Sequence, residues 1–282
     1  MCVSTPTSAL PLMCVSSSPR RDACTMLGAG CSRAKRRRAA SAADPQRAGV
    51  LPGDQLLAVE ATDLTPLATD AEIARFKGAS GSLAQVRALA TSLCAAEPRL
   101  RWLSACAPIM LSPDVALVGQ DGWGDGLLGT PERSPVLLND WRLIEELTGL
   151  YGAALRTRLR ALGQQEAAAL QPRLEAALLE HRTVLVVVHV PPFRDACWHE
   201  GRISDDDWLP WFTCHAVGEV LLAAAERHRD RSLAVLCGHT HGSGVAHVRP
   251  NLIVHTGAAE YGHPQLAGLW LAGNGALRLL SV

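Results

Sequence analysis

Residues 183–192 read TVLVVVHVPP, and the fold turns on them. Val184 to Val188 form an apolar run without alternation, as expected of a strand covered on both faces. Pro191 and Pro192 end it, because proline has no N–H to give to a strand ladder. A strand of this kind belongs inside a sheet with a layer above and a layer below. Outward from it, residues 214–228 (CHAVGEVLLAAAERH) have apolar residues at helical spacing, and VLCGHTHG from Val235 to Gly242 opens as a second apolar strand. Residues 139–181 are rich in Ala, Leu, Arg and Glu and read as helix, with breaks at Gly149 to Gly152 and near Gly163. NLIVHTG (251–257), LAGLWLA (266–272) and ALRLLSV (276–282) read as three more strands. Upstream, VALVG (115–119) is a short buried strand and residues 83–97 a helix with Leu83, Val86, Leu89 and Leu93 on one face. Strands alternate with helices to about residue 230, after which strands follow one another. This is the pattern of an α/β protein with a layered β-sheet core flanked by helices.

The totals narrow the function. The chain has 282 residues, of which 48% are hydrophobic, enough for one large core or two small ones. Formal net charge is zero, so nothing global favours nucleic acid or an anionic membrane surface. No apolar stretch approaches the length of a membrane span. Nine cysteines, an odd number without a Cys-x-x-Cys pair, argue against a disulfide framework and for reduced thiols in an intracellular, cytoplasmic protein. Residues 1–43 are basic and Ser-rich, with seven Lys or Arg between Arg20 and Arg38 against the single acid Asp22. They are expected to be disordered, since they offer little apolar surface to offset the entropy of ordering. Organelle targeting is the alternative for this segment.

Residues 44–81 are a separate segment. AGVLPGDQLLAVE gives a turn and a strand, TDAEIARF a short helix, and GASGS a turn. In order and spacing this resembles the second half of a PDZ domain, which implies binding of a peptide C-terminus. The expected carboxylate-binding loop has only MLGAGCS (26–32) to represent it, and the expected last strand is replaced by the helical pattern after Ser82.

The chemistry-bearing residues are histidines. His189 stands where the apolar strand ends, and His239 and His241 follow the second strand in GHTHG. Were strand geometry to continue through that loop, His239 and His241 would point the same way. Ligands gather outside the carboxyl ends of strands in open sheets, and two strands that each deliver histidine there point to a divalent metal. VVHVPPF together with GHTHG resembles the carboxyl half of the calcineurin-like metallophosphoesterases, over residues 82–282, with LVGQDGWGD (117–125) and ACWHEGRISDDDWLPWFTC (196–214) inside the match. The resemblance implies a phosphoester hydrolase with a dinuclear manganese, iron or zinc centre bridged by an aspartate. In it, His189 and His239 correspond to ligands of one metal and His241 to a ligand of the other.

The family also needs an Asp-x-His, a Gly-Asp and an Asn-His upstream. The first histidine here is His181, so neither histidine motif precedes it, and no Asp follows Asp230 to restore the set by permutation. Gly53-Asp54 sits inside the PDZ-like pattern. Where the Asn-His loop belongs, the chain has RFKGASG. Three imidazoles without a bridging carboxylate hold two divalent cations poorly. The expectation is therefore one metal site rather than two, with hydrolysis of a phosphoester substrate impaired or absent. The alternatives are a non-catalytic, PDZ-like binding protein, or a chimeric gene model joined near Gly81.

The remaining candidates have plainer readings. Asp121, Trp123 and Asp125 form a polar turn with a packed indole, or face substrate. Residues 193–214 are a packed surface loop or a lid. Cys197 and His199 lack a third partner for nucleophilic catalysis. His215, His228, His247, His255 and His263 read as surface or core residues.

Overall fold

The computed structural model describes residues 2–4, 10–13, 55–59, 82–96, 100–138, 140–259, 268–273 and 276–280. The strands are β1 (Cys2–Ser4), β2 (Leu10–Met13), β3 (Gln55–Val59), β4 (Leu100–Trp102), β5 (Ile109–Ser112), β6 (Val115–Gln120), β7 (Thr183–Val188), β8 (Trp198–His199), β9 (Arg202–Ile203), β10 (Ser232–Cys237), β11 (Gly244–Arg249), β12 (Leu252–Thr256), β13 (Gly268–Gly273) and β14 (Ala276–Leu280). The helices are α1 (Leu83–Ala96), α2 (Asp140–Leu143), α3 (Gly152–Glu180), α4 (Leu209–Phe212) and α5 (His215–Arg227).

The protein is mixed α/β. A six-stranded sheet runs in the order β11-β12-β10-β7-β6-β5. Its four inner strands are parallel, and the edge strands β5 and β11 are antiparallel to their neighbours. β6 and β7 are buried at every position, as the unalternating sequence demands. Their side chains divide by parity. Ala116, Val118, Val184, Val186 and Val188 pack with Leu170, Leu174 and Leu178 of α3 and Val217 and Leu221 of α5. Val115, Leu117, Leu185 and Val187 pack on the other face with Leu103, Leu236 and Trp270. Trp270 belongs to β13, in a second sheet ordered β14-β13-β3-β2-β1-β4. The helices thus cover one face of the first sheet and the second sheet lies toward the other.

The expected strands and helices between 83 and 257 are present within a few residues. One expected break is absent, since α3 runs uninterrupted through Gly163. That glycine serves close packing instead. A Cβ there would stand 2.7 Å from the Cβ of Asp125. Pro172 also lies within α3. The carbonyl that loses its helical partner belongs to Ala168, which is exposed and can turn to water.

Of the segment expected to be disordered, Cys2–Ser4 and Leu10–Met13 are strands, and the rest lies outside the described residues. The strand expected in DQLLAVE is β3, paired with β13 and β2. The helix and turns of the PDZ-like pattern, and His263, lie outside the described residues. Among the described residues no helix is long and apolar enough to cross a membrane.

Candidate metal centre

Strand register brings the first two histidines together. β7 and β10 are parallel neighbours with Val187 opposite Leu236. The pairing continues past both strand ends, where the Gly238 N–H donates to the His189 carbonyl at 2.9 Å. The next residue, His239, therefore emerges beside His189. The imidazoles meet edge to face with centroids 4.9 Å apart, and His239 Nδ1 lies 3.1 Å from His189 Nε2. That separation is the length of an ordinary ring-to-ring N–H···N hydrogen bond, and it equals the spacing of about 3 Å between two nitrogens that share one zinc ion at about 2.0–2.1 Å each.

His241 is placed differently from the expectation. Strand geometry stops at Cys237, and His239 and His241 both have left-handed backbone, with φ +69° and +60°. That conformation is costly for a residue with a side chain and persists only where surrounding contacts enforce it. His241 lies within electrostatic range of His189. Yet among the described residues no three His, Cys, Asp or Glu side chains come close enough together to hold a metal ion. Strand register thus brings two imidazoles into contact, not a set of three metal ligands.

The segment 193–214 packs on this loop. It is packed, not open: Ala196, Cys197, Leu209, Thr213 and Cys214 are all buried. The short β8–β9 hairpin sits directly on the histidine loop. A Cβ on Gly242 would lie 2.4 Å from the Trp198 carbonyl oxygen, and one on Gly244 would lie 2.3 Å from the Trp198 indole. Both positions therefore need glycine. Next to Trp198, the His199 ring is 2.8 Å through Nδ1 from the Thr240 carbonyl, between the two loop histidines. Sequence reasoning weighed His199 only as a partner of Cys197. Forty residues separate it from Thr240, and no local pattern signals the contact.

Beside the histidine pair lies a narrow cleft lined by Trp123, Trp141, Trp211, Leu159, Val190 and Asp140. Its free space admits about one water-sized group. A phosphoester does not enter without movement of the indoles.

The other candidates are structural. Asp125 is fully buried; its carboxylate accepts from the Leu127 N–H at 3.1 Å and the Ala216 N–H at 2.8 Å, which caps the start of α5 from a distant loop. Burial pushes its pKa up. Asp121 accepts from the Trp102 indole at 3.2 Å, and its own N–H donates to Ser104 Oγ at 2.9 Å. The Cys197 thiol is buried and pushed up to about 11, which suits an inert core residue. His255 packs edge to face on Trp270, centroids 4.9 Å apart, and ties the first sheet to the second.

His189 is 7% exposed. Burial first, and then the neighbouring His239, hold its pKa well below the ordinary value of 6.5. The unfolded chain takes up a proton near that ordinary value and the folded form does not. Stability should therefore be complete above about pH 6.5 and fall as pH drops below it. Urea unfolding of the metal-free protein at about pH 7.5 and 5.5 checks this: the midpoint falls at the lower pH, and falls less in His189→Asn.

Against known proteins, the chain matches no protein-family model and no curated protein.

Proposed function

We propose that residues 82–282 are a calcineurin-like phosphoesterase domain with a reduced metal centre, which binds one divalent transition-metal ion through His189 and His239 and hydrolyses phosphoesters poorly or not at all. The observation that carries this reading is the pair of imidazole nitrogens 3.1 Å apart at the carboxyl ends of two parallel central strands. A bound ion would supply Lewis-acid polarisation of a phosphoryl oxygen. The chain's own residues do the rest. His189 is held neutral by burial, so an ion can bind there without displacing a proton from an imidazolium. Phe212, edge to face on His239 at 5.0 Å, limits water on that side. The narrow cleft leaves little room for a substrate phosphate.

Equilibrium dialysis against zinc or manganese should give about one ion per chain, lost in His239→Ala, with little or no turnover of bis-(p-nitrophenyl) phosphate. Two ions per chain, together with turnover abolished by His239→Ala, would overturn the reduced centre. The peptide-binding alternative gains no observation, because its helix and its loop lie outside the described residues.

A further inference from the structure

Two small cavities meet at one residue. The first is the narrow cleft beside the histidine pair. The second lies between α1 and the end of β6, lined by Leu83, Val86, Ala90 and Trp102 and by the polar Arg87 and Asp121. Each leaves room for only one or two water-sized groups. Among the described residues Trp123 is the single one that lines both, so it is the partition between them. No polar contact holds this partition. Trp123 is 6% exposed, and its Nε1–H is buried with no hydrogen-bond partner. A buried indole N–H ordinarily finds an acceptor, and burying one without it costs stability. The neighbouring indoles differ. Trp102 donates to Asp121 Oδ1 at 3.2 Å, and Trp211 donates to Ser134 Oγ at 2.7 Å. The backbone beside the partition is packed tight, since a Cβ on Gly124 would lie 2.1 Å from the Trp211 carbonyl oxygen. Movement at Trp123 is therefore rotation of the side chain, not displacement of the loop.

We propose that the two cavities are halves of one binding cleft, closed by the Trp123 indole, which opens to a small neutral aromatic ligand carrying a hydrogen-bond acceptor. The walls select the ligand. Indoles and aliphatic side chains on both sides of the partition suit a planar ring. The acceptor answers the Trp123 N–H, which has no partner in the closed form. Neutrality follows from the charges. Arg87 is already paired with Glu166 at 2.5 Å, and the Asp121 carboxylate accepts from Trp102, so an ionic ligand meets no uncommitted counter-charge in the second cavity. The inference goes beyond the metal-binding reading and needs no ion.

The test uses the full chain, with benzamide as the probe. Exchange of the indole N–H groups with water is followed by NMR, and the Trp123 signal is assigned by its loss in Trp123→Phe. In the wild type Trp123 should exchange about tenfold or more faster than Trp211, because rotation exposes the one and Ser134 holds the other. Saturating benzamide should slow Trp123 by a similar factor. Equal rates for the two indoles, or a Trp123 rate that benzamide leaves unchanged, overturns the proposal. Titration gives a second measure. Trp123→Ala removes the partition and should bind benzamide about tenfold more tightly than the wild type, since a cleft that must first open binds only through its open fraction. Trp270→Ala leaves a hole of the same size between the two sheets and should show no such gain. Equal gains in both variants, or binding to Trp123→Ala with none to the wild type, would make the space a cavity of the variant's own and overturn the cleft.

Discussion

Glu166→Ala is expected to lower the unfolding free energy by about 3 kcal/mol, read from urea denaturation. Glu166 points from α3 into the core and is 2% exposed. Its carboxylate accepts from Arg87 of α1 at 2.5 Å and from the Gln120 amide at the end of β6. Gln120 in turn accepts from Arg173, which also donates to the carbonyls of Leu103 and Gly119, the latter at 2.9 Å. The result is one polar chain joining α1, α3 and the exit of β6. Burial pushes the Glu166 pKa up, and the Arg87 charge opposes this only in part. Removing the carboxylate strands the Gln120 amide in an apolar interior and cuts α1 loose. Breaking a buried pair costs about 3–5 kcal/mol. The lower end applies because the Arg87 side chain is 42% exposed, and water can take over its share. Glu166→Gln retains an acceptor and should cost about 1 kcal/mol. A loss in Glu166→Ala no larger than in Glu166→Gln would show that the chain is not cooperative.

The second large effect belongs to the histidine loop. Gly242→Ala should destabilise the protein by about 3 kcal/mol, at the upper end of the range for overpacking. The added methyl would meet the Trp198 carbonyl oxygen at 2.4 Å, its carbon at 2.7 Å and the His199 nitrogen at 2.9 Å. These are backbone atoms, so no rotamer change relieves the clash. The hairpin must lift from the loop that carries His239 and His241, both of left-handed backbone. Zinc affinity should fall along with stability. Gly122→Ala is the control: its methyl would meet only Val190 Cγ2, at 3.5 Å, and should change stability by less than about 0.5 kcal/mol. Full metal binding by a destabilised Gly242→Ala protein would show that the hairpin supports the fold but not the site.

Much of the first sheet could be read directly. β6, β7 and β10 carry short, largely apolar runs without alternation, of strand length and bounded by turn residues, which marks strands covered on both faces. α5 announces itself by the spacing of Val217, Leu221 and Ala224. β11 escaped notice because it is an edge strand with only Ala246 well buried, so its sequence, GVAHVR, carries little of the apolar signal. The hairpin β8–β9 escaped for a similar reason, having two residues per strand and no alternation to detect. Gly163 misled in the opposite direction. A glycine inside a helical pattern weakens local propensity, but here tertiary packing against Asp125 overrides it.

The histidines divide along the same line. That His189 and His239 stand at the ends of central strands follows from apolar runs that stop at known residues, and this depends on chain chemistry alone. That their nitrogens meet at 3.1 Å required β7 and β10 to be neighbours in a particular register, a long-range pairing that no local pattern encodes. The left-handed turn at His239 and His241 likewise lies beside Trp198, some forty residues away, which closes over Gly242 and Gly244, and the sequence context of those glycines shows only that they are small. Residue type and spacing determined which imidazoles stand where the central strands end. Register and the docking of a distant hairpin decided which of them stand together, because those contacts form only between segments remote in the chain and are paid for by burial that only the assembled layers provide.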